Sequence, residues 1–149
     1  HISIMIRLDS NEITKVATTL KGANNTFEAI DTVVNINAGF VSDTQAIDWR
    51  PTSIEDMNLL IEQKIKPFII EKIIPFLDER SSMKHVLNDF ENHNRYFFLN
   101  SNEVVALLAI AMYCLQNDLE RARTVANDYF KSDDIYREKY KNVFMKLNA

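Results

Sequence analysis

A chain of 149 residues, 46% hydrophobic and 26% charged, can bury one sizeable core and has the composition of an ordinary globular protein. Its 17 basic and 21 acidic residues give a formal charge of −4, and neither the part before Trp49 nor the part after it is basic, so a nucleic-acid partner has little support. A lone cysteine, Cys114, excludes an intramolecular disulfide and a multi-cysteine zinc site.

The chain opens on His1, without methionine and already in strand-like alternation, so upstream residues are expected to be missing. No secretory signal is present, and the longest apolar run, residues 104–115, is too short for a bilayer. A cytoplasmic protein with no membrane partner is expected. Richness in Ile, Asn and Lys suggests a genome of low GC content, hence a bacterium.

Ile2, Ile4, Ile6 and Leu8 alternate with Ser3, Met5, Arg7 and Asp9, the period of a half-buried strand. Asp9-Ser10-Asn11 reads as a turn. Ile13, Val16, Ala17 and Leu20 fall at helical spacing while Thr18 and Thr19 suit a strand, and both readings stay open. Residues 21–25 are a turn signal. Ala29 to Val41 reads as a second strand, with Val34, Ile36, Ala38 and Phe40 on one face.

Character changes across Asp48 to Glu55, which carries the only tryptophan and Pro51. From here the period is helical. Thr52 and Glu55 fit a capping box, and Ile54, Met57, Ile61, Ile65, Phe68 and Ile69 form an apolar stripe. Pro67 and Pro75 each predict a kink or an end, since each removes a donor and crowds the preceding turn. Ser81-Ser82 starts a helix that ends at residues 92–94. Another starts at residues 100–103 and is apolar almost all round to Met112, the mark of a central core helix. Asn117-Asp118 breaks it. Leu119 to Phe130 follows as an antiparallel partner, with Leu119, Ala122, Val125, Ala126 and Tyr129 inward, and Ile135 to Leu147 is the last helix. The expectation is one α+β domain over 1–149. Its strand-rich part, 1–48, forms a small antiparallel sheet packed against a helical bundle, 52–149.

Only Gly22 and Gly39 occur. Phosphate-cradling loops need glycine for close backbone approach, and no P-loop, dinucleotide fingerprint, nucleophile elbow or EF-hand loop is present. No cofactor is implied.

His85, Asp89 and His93 follow one another at one-turn spacing and could hold a divalent metal, with Glu91 near. The competing reading is a solvated helix face. Trp49 and Arg50 are residue types enriched at binding hot spots, or else Trp49 plugs a sheet–helix corner while Arg50 reaches solvent or Asp48. Arg95 and Tyr96, in a run of aromatics, could stack on a base or a peptide, or form a core connection. Lys131, Arg137, Lys139, Lys141 and Lys146 interleave with acids as on a solvated helix. The acidic first part could attract a basic protein, although solubility explains it as well. Cys114, among apolar neighbours, reads as a buried small hydrophobe.

Asp48-Trp49-Arg50 with the capped helix behind it, then Ile73-Ile74-Pro75-Phe76-Leu77-Asp78 and Ser81, resembles a bacterial family catalogued as domain of unknown function 4304. There a strand like Val34-Asn35-Ile36-Asn37-Ala38-Gly39 precedes the tryptophan. The resemblance covers about residues 28–90, without the family's N-terminal portion, and implies an α+β domain with no established activity. Residues 106–130 resemble one tetratricopeptide-like helical pair, which alone makes no solenoid. The functional expectation is a non-catalytic protein-binding module, antitoxin- or immunity-like, using Trp49, Arg50, Arg95 and Tyr96. The alternative is a metal-dependent hydrolase using His85, Asp89 and His93.

Overall fold

The computed structural model describes residues 1–22, 29–42, 45–94, 101–130 and 134–148. The fold is α+β; among the described residues there are two short strand pairs, built from the first 49 positions, and helices through the C-terminal part. β1 (Ile2–Ser3) pairs antiparallel with β4 (Asp48–Trp49), placing Ile2 opposite Trp49. β2 (Met5–Leu8) pairs with β3 (Val34–Asn37). Among the described residues no helix is long and apolar enough to cross a membrane.

The chain divides into two compact units, residues 1–6 with 35–96, and residues 7–34 with 97–149. This division does not follow the change of character at Trp49, because α1 (Asn11–Lys21) belongs with the C-terminal helices.

In the first unit the expected long strand stops at Asn37, and α2 (Gly39–Ser42) begins. The Asn37 side chain is the cause of this turn. Its Oδ1 accepts from the backbone N–H of Gly39 and of Ile47, both at 2.9 Å, and its Nδ2 donates to the Ile47 carbonyl at 3.3 Å. One amide thus stands in for a peptide unit and closes the segment between them. A Cβ on Gly39 would lie 2.4 Å from the Gln45 carbonyl oxygen, so only glycine fits.

A helical rod over residues 54–79 follows. It comprises α3 (Ile54–Leu60), a π turn (Ile61–Ile65), α4 (Lys66–Phe68), a second π turn (Ile69–Ile73) and α5 (Ile74–Glu79). The cap sits one residue later than the capping-box reading. Ser53 Oγ accepts from the Asp56 N–H at 3.0 Å, and Asp56 reaches back to Thr52. Ile54, expected on the inward stripe, is 76% exposed.

Neither proline ends the rod. Lys66 N–H bonds to the Ile61 carbonyl and Ile74 N–H to the Ile69 carbonyl, five residues back, and a proline follows each. The wider turn relieves the ring of its clash with the carbonyl four residues earlier. It also sets the register. Met57, Ile61, Ile65, Ile69, Ile73 and Leu77 recur every four residues, and all are buried or half-buried. In an α-helix a four-residue step overruns the turn by about 40°, so this stripe would drift about 200° around the rod. Each π turn takes up one extra residue, about 100°, and two of them cancel the drift. The two π turns also share a sequence: Ile61, Lys64, Ile65, Pro67 and Phe68 recur eight residues on as Ile69, Lys72, Ile73, Pro75 and Phe76. α6 (Met83–Glu91) completes the unit and buries Val86, Leu87, Asp89 and Phe90.

In the second unit the ambiguous segment 13–20 is helical. Ser10 Oγ accepts from the Ile13 N–H, and Gly22 closes the helix at φ 74°. Thr18, which suggested a strand, uses its hydroxyl to accept from the Ile30 N–H at 2.9 Å. α7 (Asn102–Leu115) is the central helix as expected, with Ala106 to Met112 fully buried. α1 and α8 (Leu119–Phe130) pack on it, and α10 (Lys141–Leu147) packs on α8 and α1. Fully buried Ala17, Ala106, Ala109, Ala122 and Ala126 let these helices approach closely.

Two expectations change here. Leu119 is 40% exposed, and Phe130 takes the buried place at the other end of α8. The last helix is two, α9 (Asp134–Lys139) and α10, because the chain breaks at Tyr140. The Tyr140 ring is buried against Phe130, 4.3 Å between centroids. Arg123 Nε ties α8 to the end of α10 by donating to the Leu147 carbonyl at 2.7 Å.

Candidate functional site

β4 delivers Trp49 to the start of the rod, and Pro51, which fixes its own φ, turns the chain into α3. The Trp49 ring meets Phe68 edge to face, with centroids 6.4 Å apart and planes at 71°. Trp49 is half-buried, neither sealed as a plug nor fully open, and Arg50 is exposed to solvent. Arg50, Pro51, Trp49, Asp56 and Leu60 line a hollow of about 150 Å³. Asp56 and Leu60 also line a second hollow of about 240 Å³, which continues along the rod past Leu59, Gln63 and Lys64. The two share Asp56 and Leu60 and make one trough of mixed polar and apolar lining, with Arg50 in one hollow and Lys64 in the other.

Asp56, the acid in this trough, is already committed. Its Oδ2 accepts from the Thr52 N–H and from the Thr52 hydroxyl, each at 3.0 Å. These two donors hold its carboxyl below the usual carboxylate range. The negative charge also sits on the first turn of α3, where the helix dipole favours it.

The structure does not gather His85, Asp89 and His93 into a site. His85 and His93 are exposed, and His93 stands at the end of α6 with φ 50°. Asp89, expected on the polar face, is buried beside Val86 and Phe90. Arg80 engages both its oxygens, Nε to Oδ2 at 2.6 Å and Nη2 to Oδ1 at 3.1 Å, and Asn94 adds a bond to Oδ1 at 3.2 Å. The same guanidinium lies over the Phe76 ring, 4.0 Å from its centroid. The carboxylate that would have anchored a metal therefore joins α5 to α6. Among the described residues no three of His, Cys, Asp and Glu come close enough to share a metal ion.

Arg95, Tyr96 and Lys131 lie outside the described residues. Cys114, expected buried, is only half-buried, and desolvation pushes its thiol up despite Lys146. Of the tail cations, Lys141 pairs with Glu138 at 2.7 Å and Lys139 with Glu103 at 3.0 Å. A further hollow of about 520 Å³ beside Arg137, Lys141, Phe144 and Met145 has its cations engaged, Lys141 as above and Arg137 over the Phe144 ring.

One polar cluster had no signal in the sequence. Glu103, in the first turn of α7, accepts from the Tyr140 hydroxyl and from Lys139 Nζ. The Tyr140 hydroxyl, before Lys139, lowers the Glu103 carboxyl below its ordinary range, while burial raises the Tyr140 phenol. The partners are more than 35 residues apart in sequence, and no local spacing marks such a pair.

No family model, curated protein or solved structure matches this chain.

Proposed function

We propose that this chain is a non-catalytic protein-binding module, antitoxin- or immunity-like, acting in a bacterial cytoplasm and presenting the trough beside Trp49 and Arg50 to its partner. The observation that carries the reading is the half-buried Trp49 next to an exposed Arg50, in a trough that mixes apolar and charged side chains. Tryptophan and arginine dominate binding energy where they can be desolvated at the centre of an interface. Leu59, 55% exposed, adds apolar surface there. The composition supports the bacterial setting, and the resemblance over residues 28–90, in a family without established activity, is compatible with binding.

The test is photocrosslinking in native cells from a benzoylphenylalanine placed at Leu59, with exposed Glu120 on α8 as the control position. A discrete adduct from position 59, absent from position 120 and lost on Trp49→Ala, is the expected result. Equal labelling from both positions, or none from position 59, refutes the reading.

A further inference from the structure

The chemistry of the trough selects among protein partners, an inference that rests on the binding reading above. Two features bear on it.

The first is charge. Arg50 and Lys64 stand at the two ends, both exposed, and neither forms an ion pair among the described residues. Lys66, by contrast, is paired with Glu62 on an adjoining face of the rod. The acid between them, Asp56, keeps its charge, but Thr52 occupies its Oδ2 with two hydrogen bonds and the start of α3 offsets part of that charge, so the two cations outweigh it. A surface of this kind attracts carboxylates, although the whole chain is acidic.

The second is register. Leu60, Lys64, Phe68 and Lys72 follow one another every four residues, like the buried stripe beside them. The two π turns that keep that stripe straight keep this row straight too. Lysines and apolar residues therefore alternate along one line, with Lys72 exposed beyond Phe68 and Trp49 packed on Phe68. An extended chain laid along the rod would meet apolar and cationic positions in turn.

We infer that the trough docks an acidic segment of a partner protein, with an apolar side chain set against Leu59, Leu60 and Pro51 and carboxylates on Arg50 and Lys64. A hollow of about 150 Å³ is of side-chain size. Single-stranded nucleic acid, which also uses cations and aromatics, needs an open aromatic face for stacking. Here the tryptophan is half-buried, and the second hollow is lined by Asp56, Leu59, Leu60, Gln63 and Lys64, without an aromatic ring.

The experiment is selection of a random displayed peptide library on the intact protein. It is repeated on Arg50→Glu/Lys64→Glu and on Leu60→Ser, with oligo-dT binding measured in parallel. Trp49, the only tryptophan, reports engagement by its emission, and circular dichroism checks that each variant keeps its helices. Expected are peptides with Leu, Ile or Phe flanked by Asp or Glu, which shift Trp49 emission and bind the charge-reversed variant at least about tenfold more weakly. Enrichment of neutral or basic peptides that still depend on Leu60 overturns the acidic-segment inference and leaves the binding reading standing. Enrichment indifferent to all three substitutions, or no enrichment, overturns both. Oligo-dT binding that competes with the peptides and shifts Trp49 emission assigns the trough to nucleic acid and overturns both as well.

Discussion

Replacing Arg80 tests whether the Arg80–Asp89 pair holds α5 against α6. Both side chains are only 11% exposed, and the guanidinium fork occupies both carboxylate oxygens. Arg80→Ala strands a buried charge, which costs about 3–5 kcal/mol where no partner remains. Asn94 still donates to Oδ1 and softens that loss. Removing the cation from the Phe76 face adds roughly 0.5–1 kcal/mol. The expected destabilisation is about 3–4 kcal/mol, or a fall in Tm of roughly 6–15 °C for a chain of this length. Arg80→Met with Asp89→Leu removes both charges and keeps the volume, so it should return to within about 1 kcal/mol of the wild type. Urea unfolding followed by Trp49 emission reads this directly, because Trp49 lies in the same compact unit. A single substitution costing less than about 1 kcal/mol, or a double variant as unstable as the single, would refute the reasoning.

Trp49→Ala should cost about 2 kcal/mol in urea unfolding, less than a sealed aromatic, because the ring is half-buried and meets Phe68 by its edge; a loss beyond about 4 kcal/mol would mean the ring is the core plug its position suggested. Deleting Glu71 turns the second π turn into an α turn and puts Pro75 back against a helix carbonyl, a cost of about 3 kcal/mol. Pro75→Ala in the same chain should restore most of it, and urea midpoints for the pair check this. Glu103, lowered in the folded state, contributes stability that is present above its ordinary value and lost as pH falls through its folded value. Wild-type Tm should therefore drop more steeply below about pH 4 than that of Glu103→Gln, and parallel curves would contradict the assignment.

Where hydrophobic period and end signals agreed, the sequence was enough. α7 was visible because a helix apolar on all sides has no place but the centre, and its Ser101 cap and the Asn117 break sit where the residues point. The helix–strand ambiguity at residues 13–20 was resolved by Ser10 and Gly22, whose capping roles outweigh two β-branched threonines. The prolines misled because local chemistry predicts a break, whereas the four-residue recurrence from Met57 to Leu77 demands continuity. The recurrence won by widening the turn in front of each ring. Of the candidate site, Trp49 and Arg50 were legible from residue type alone. Asp89 was not, since its true partner, Arg80, lies across a helix–helix turn. The Glu103 cluster depends wholly on tertiary contact.

The eight-residue recurrence in the rod has a consequence for how such an element can change length. An α-helix is a screw, and adding residues turns its end to a new face. Each Ile-x-x-Lys-Ile-x-Pro-Phe block, with its π turn, instead advances by nearly whole turns, so a copy inserted or removed slides the end along the axis without rotating it. A spacer of this kind can be lengthened by duplication while every contact beyond it keeps its orientation.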